Sequence, residues 1–164
     1  MIHPSVKIDE TIRIFFKNPG GTDVLEIGEG SRIDAYTVIT VGPKGIKIGN
    51  NVHIGCFCFL SGSGGRIEIG DGCSLSPRST IYTACDDFRK KGLIGPTNPR
   101  DKRNVIEGDV VMEEGSALGH GAILLPKSTL KKGAALGAYM CLHGELPEGV
   151  LSMSNYDVIH RERL

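Results

Sequence analysis

The chain has 164 residues (17.6 kDa), 19 Lys plus Arg against 19 Asp plus Glu, and 40% hydrophobic residues, which suits one domain spanning 1–164 and excludes a net field that would recruit nucleic acid or an anionic membrane. It carries 23 glycines and 8 prolines but only 5% aromatic residues, a mix that predicts many short strands and tight turns. The start, Met1 to Glu10, shows no basic segment followed by an apolar stretch, and no apolar run approaches bilayer length, so a cytoplasmic protein is expected. Five cysteines without metal-site pairing fit small thiols in a reducing compartment, and no metal is expected.

Taken in chain order, Ile8 and Ile14 stand six apart and are read as an irregular first coil. The same spacing then recurs in Ile27, Ile33 and Ile39, in Ile48, Ile54 and Leu60, and in Ile69, Leu75 and Ile81. Small partners follow four places on, at Ser31, Thr37, Val52, Cys58, Cys73 and Ser79. Period six is three times the strand period of two, so every sixth residue returns to the same side. Three strand-and-turn units bring the chain round a triangular coil of about 18 residues, stacked on the next at roughly 4.8 Å with aliphatic residues along the axis. The three blocks start 21 residues apart rather than 18, and the surplus is assigned to two bulging loops, Gly42-Pro43-Lys44-Gly45 and Gly62-Ser63-Gly64-Gly65.

From Tyr82 to Val105 the lattice breaks in a long polar loop, the kind of insertion that is usually functional. Counting in sixes from Ile106 restores it through Met112, Leu118, Leu124, Leu130, Leu136 and Leu142, with Val110, Ser116, Ala122, Ser128, Ala134 and Met140 at the small positions. The segment 146–164 is read as a cap: a turn at Leu146-Pro147-Glu148-Gly149, then a short helix over Val158 to Leu164.

Ile48-Gly49-Asn50-Asn51-Val52-His53-Ile54-Gly55, Ile69-Gly70-Asp71-Gly72-Cys73-Ser74-Leu75 and the stretch from Leu136-Gly137-Ala138 to Gly149 resemble the hexapeptide-repeat acyltransferases, in particular the maltose and galactoside O-acetyltransferase type. The resemblance implies an all-β fold, a left-handed parallel β-helix. It also implies a homotrimer with sites in the clefts between subunits and coenzyme A along the C-terminal coils. In that family a histidine on the long loop serves as general base. Here the matching stretch, Tyr82 to Asp87, has none, and Asp86 or Asp87 stands nearest the expected place. An unperturbed aspartate is a weak base, so His120 and His53, both within repeat coils, are alternatives. Cys85 sits beside two acids that disfavour its thiolate and is read as inert.

For coenzyme A the resemblance points to small residues that leave room for the pantetheine arm, here Gly119, Gly137 and Ala138. For its phosphates it points to cations, with Arg161 and Arg163 preferred over Lys131 and Lys132. Glu113-Glu114 departs from the family pattern where a glycine is usual. The expected function is transfer of an acetyl group from acetyl-CoA to a hydroxyl or amine of a saccharide or nucleotide sugar, in cell-surface polysaccharide synthesis. The alternative is a non-catalytic trimeric scaffold. A β-helical carbonic anhydrase needs a zinc-binding histidine set whose spacing His120 and His143 do not supply.

Overall fold

The computed structural model describes residues 1–18 and 24–154. The Val158 to Leu164 helix, Arg161 and Arg163 lie outside the described residues. The described chain forms three parallel sheets wound as the faces of a left-handed prism of about six coils. The first face stacks, among others, Lys7–Ile8, Arg32–Ile33, His53–Ile54, Ser74–Leu75, Ala117–Leu118 and Ala135–Leu136. The second runs from Arg13–Phe16 to Cys141–Leu142 and the third from Leu25–Ile27 to Glu145–Leu146. Ile8 and Ile14 belong to a first coil, paired with Ile33 and Ile39.

The six-residue lattice is the axis of the prism. Ile33, Ile39, Ile54, Leu60, Leu75, Ile81, Leu118 and Leu124 are each at most 1% exposed. The small series fills the inner corners, where hydroxyls and thiols answer turn carbonyls one coil away: Ser31 Oγ donates to the Gly49 carbonyl (2.8 Å), Thr37 Oγ1 to Gly55 (3.0 Å) and Ser79 Oγ to Gly119 (3.1 Å). Such groups fit where an aliphatic residue would leave a buried carbonyl underused. Cys58 and Cys73 share this role, and burial pushes the Cys58 thiol up to about 11. One member of the series departs from the lattice. Ile106 is only half-buried and faces Cys85 across an antiparallel pair, so the axial run resumes at Met112.

Because outward-pointing residues stand in register from coil to coil, each face has its own chemistry. The third face presents Glu26, Lys47, Glu68, Val111, Thr129 and Glu145. The second presents Arg13, Val38, Phe59, Thr80, Ile123 and Cys141 and is mostly apolar. The corners differ too. Between third and first faces a left-handed residue is needed in each coil, and Gly30, Asn51, Gly72, Gly115, Gly133 and Gly149 supply it. Between first and second faces the same conformation is taken by Tyr36, Phe57, Arg78, Gly121 and Tyr139, although side chains there cost roughly 1–2 kcal/mol relative to glycine.

Past the turn closed by the Val150 amide on the Pro147 carbonyl (3.2 Å), the coil continues into Leu151–Ser152, which pairs with Ala135–Leu136. No helix among the described residues is long and apolar enough to cross a membrane.

Candidate active site

The long loop is an ordered arm. It leaves the second face after Thr80–Tyr82, and its base is an antiparallel ribbon of Ala84–Asp86 and Val105–Glu107. Its far part is tied by a short helical turn at Arg100–Lys102 and by the Leu93 amide donating to the Lys102 carbonyl (2.9 Å). Asp86 organises it. One carboxylate oxygen accepts from Arg103 Nε (3.0 Å) and Nη2 (2.8 Å), and the other accepts from the Gly95 amide (2.9 Å). The side chains of this pair are only 12% and 13% exposed. The Gly95 amide first, and the Arg103 guanidinium after it, hold the Asp86 carboxyl below the usual carboxylate range.

Asp87 turns away to a different partner. Its carboxylate accepts from the Arg89 amide (3.1 Å), Nε (2.8 Å) and Nη2 (3.2 Å), and these bonds lower its pKa as well. Both acids are therefore ionised at neutral pH and already occupied. They fix the arm and can accept a further hydrogen bond, but a carboxylate made less basic is a poor proton acceptor. Cys85 is held as a thiol by burial first and by the charges of Asp86 and Asp87 second.

Between arm and prism lies a cleft of about 380 Å³ whose walls include Lys17, Tyr82, Asp86, Arg100, Arg103 and Glu107. His120 is not part of it. His120 precedes the strand Ile123–Leu124, at the opposite edge of the second face from the arm, and its ring meets Tyr139 edge-on at 5.4 Å. His53 sits on the first face with Nε2 2.8 Å from Asp34, beside Arg32. That triad was not singled out from the sequence, yet a signal exists: Arg32 and Asp34 are two apart, at and just past the strand Arg32–Ile33, and His53 follows Arg32 by one 21-residue coil. Arg103, 17 residues from Asp86, has no comparable signal.

Gly119 and Gly137 do lie together in the last coils, but the space beside them is filled by backbone. A Cβ on Gly119 would stand 2.5 Å from the Ala138 nitrogen, and one on Gly137 would stand 2.9 Å from the Ser152 carbonyl oxygen. These glycines permit coils to stack, and Ala138, half-buried beside them, belongs to the same contact. Lys131 and Lys132 are paired with Glu113 (3.1 Å) and Glu114 (2.9 Å), so the unusual acids are answered locally. Among the described residues no group of three His, Cys, Asp or Glu side chains is placed to hold a metal.

The depressed Asp86 pKa has a signed consequence. A carboxylate whose folded pKa lies below its unfolded value of about 3.9 stabilises the fold fully above that value and ceases to do so as pH falls through the folded pKa. The arm is therefore expected to stay closed through mildly acidic pH and to open only in strong acid. Hydrogen exchange at the Gly95 amide, corrected for its intrinsic pH dependence, should keep its protection at pH 5; loss of protection there would contradict the assignment.

No protein-family profile matches the chain. A curated dTDP-4-amino-4,6-dideoxy-D-glucose acyltransferase from Escherichia coli is 32% identical over 118 residues, covering 72% of this chain and 61% of that protein, so the chain spans under two thirds of that relative's length. The structure of AntD, an N-acyltransferase from Bacillus cereus, in complex with dTDP and 3-hydroxybutyryl-CoA, is 31% identical with a TM-score of 0.75, covering 90% of this chain and 72% of that one. A variant of AntD with dTDP and coenzyme A superposes with a TM-score of 0.82 at 29% identity, covering 92% of this chain and 77% of that one. The polySia-specific acetyltransferase NeuO, at 15% identity, a TM-score of 0.76 and coverage of 98% of this chain and 70% of its own, shares the fold. With the axial six-residue lattice, the left-handed prism and these relatives in hand, the chain belongs to the hexapeptide-repeat acyltransferase family.

Proposed function

We propose that this protein transfers an acyl group from a coenzyme A thioester to an amino group on a nucleotide-linked deoxysugar, and that it works as a homotrimer in the cytoplasm, on the way to a cell-surface polysaccharide. The observation that carries the reading is the likeness along 90% of the chain to an N-acyltransferase bound to dTDP and an acyl coenzyme A. Overall, an amine and a thioester give an amide and a free thiol: the C–N bond forms, the C–S bond breaks, and the amine proton ends on the released thiol.

The arm favours an amine over a hydroxyl. A sugar hydroxyl must lose its proton to a base as it attacks, the task for which the O-acetyltransferases carry a histidine. A neutral amine attacks without prior deprotonation. Ionised Asp86 and Asp87 suit an acceptor that needs orientation rather than a strong base. His120 and His53 lie on other parts of the prism surface, where a neighbouring subunit could bring them to the arm.

Trimer formation is supported by the mostly apolar second face and by its corner with the first. There Tyr36, Phe57 and Tyr139 are 57%, 53% and 69% exposed in a backbone conformation that the opposite corner entrusts to glycine and asparagine. Tyr36 and Phe57 stack at 5.0 Å. Exposed aromatics in a disfavoured conformation do little for a lone chain and are natural contacts between chains. Five free cysteines are consistent with a reducing compartment.

The scaffold reading draws on the ion-paired acids of the arm and on Glu113 and Glu114. The two are separated by incubating protein with acetyl-CoA or 3-hydroxybutyryl-CoA and dTDP-4-amino-4,6-dideoxyglucose. The product should be read by mass spectrometry rather than thiol release, because Cys141 is exposed. An acylated sugar from a particle of three chains by light scattering is the expected result. A folded trimer that neither binds coenzyme A nor makes product is a scaffold.

A further inference from the structure

We propose that the arm cleft is the binding site for the diphosphate of a nucleoside-diphosphate acceptor, with Lys17, Arg100 and Arg103 as its cationic wall. This rests on the acyltransferase reading above and adds to it a location and residues.

Three cations and two acids line the cleft. Each acid is matched to one guanidinium, Asp86 to Arg103 (2.8 Å) and Glu107 to Arg100 (3.0 Å). The Lys17 ammonium has no ion pair among the described residues, so among these five side chains it is the cation left without a carboxylate partner. The two pairs do not exhaust their arginines. Arg103 spends Nε and Nη2 on Asp86, and Arg100 spends Nη2 on Glu107. A guanidinium carries five N–H donors, so both keep hydrogens for another anion.

The acids thus act as orienters. Asp86 fixes Arg103 in a position only 13% exposed, where its rotamer is settled before a ligand arrives and its bonds are less screened by water. Lys17 comes from the end of the first-coil strand Arg13–Phe16 and the arginines from the arm, so a ligand held by both would also clamp the arm to the prism. At about 380 Å³ the cleft lies within the size range of small-molecule sites and exceeds what a phosphate ion needs, and Tyr82 supplies an aromatic wall beside the cations. The cleft of about 450 Å³ at the N-terminal end, by contrast, includes Glu26 and Glu29 and no Lys or Arg.

The test is calorimetric titration of the intact protein with dTDP, UDP, inorganic pyrophosphate and, separately, coenzyme A, comparing wild type with Lys17→Glu and Arg100→Gln. Lys17 is an exposed strand-end residue, so its variant is expected to fold, which circular dichroism checks. Both variants should lose about tenfold or more in affinity for the nucleoside diphosphates and change coenzyme A binding less than twofold. Comparable loss for pyrophosphate and dTDP would show that the diphosphate is what is held; UDP binding as well as dTDP would leave base selection to other residues. Unchanged nucleotide affinity in both variants overturns the cleft assignment, as does loss of coenzyme A binding in its place. Wild type that binds coenzyme A but no nucleoside diphosphate overturns the cleft while sparing the acyltransferase reading; wild type that binds neither removes both.

Discussion

Asp86→Asn is expected to lower kcat/KM for the amino-sugar acceptor by about 100-fold while leaving the melting temperature within a few degrees of wild type. The asparagine keeps the shape of the side chain but removes the charge that holds Arg103 with two hydrogen bonds, and it places an NH2 where either Arg103 or the Gly95 amide requires an acceptor. Arm and guanidinium then lose their fixed geometry, and misplacement of a substrate by about 1 Å is enough for a loss of this size. Because the carboxylate is ionised well below neutrality, it acts as a positioning group and not as the titrating base. The variant should therefore keep the shape of the wild-type pH profile. Disappearance of the acidic limb would instead make Asp86 the base. Arg103→Lys, which preserves charge but lacks the planar fork, should reproduce most of the loss; full activity in that variant would sink the positioning account.

Gly119→Ala should destabilise the C-terminal coils by at least about 3 kcal/mol, the upper part of the range for overpacking, because the new methyl meets backbone that no rotamer change can move. Its Cβ would lie 2.5 Å from the Ala138 nitrogen and 2.7 Å from the Gly137 carbonyl carbon. For a chain of this size that corresponds to roughly 6–12 °C in melting temperature. In a solenoid, where each coil contacts only its neighbours, the damage should begin at the C-terminal end. Gly133→Ala is the control. Nothing lies within 4 Å of its Cβ, but its φ is +64°, so only the left-handed conformation is penalised, by about 1–2 kcal/mol. Thermal melts with hydrogen exchange decide the point. If Gly119→Ala melts like wild type yet loses coenzyme A binding, the residue keeps a cofactor slot open and does not serve coil stacking.

The lattice was legible because a β-helix writes its core in one dimension. Ile33, Leu60, Leu75 and Leu124 each sit six residues from another member of the same axial series, and their burial follows from register alone. Cys58 and Cys73 were readable as core for the same reason. Ile106 shows the limit of that reading. It continues the arithmetic of Met112 and Leu118, but the chain at that point is still paired with the outgoing strand at Cys85, because periodicity reports which residues suit the axis and not when the chain has returned to it.

The arm marks the boundary between what sequence by itself determined and what only tertiary structure decided. The broken period was enough to place an insertion at 82–105, and the resemblance to acyltransferases that carry a histidine on that loop nominated Asp86 and Asp87 in its place. That Asp86 holds Arg103 and Gly95 while Asp87 holds Arg89 was settled by the fold, since adjacent residues on an extended strand point opposite ways and find whatever the returning chain brings. Likewise Gly119 and Gly137 were visible as small residues, but whether the missing side chain makes room for a ligand or for the next coil depends on stacking along the axis, which no single coil encodes. Contacts made at a fixed sequence interval can be counted from the chain; contacts made by an irregular loop, and cations gathered from separate coils around one cleft, exist only once the prism has closed.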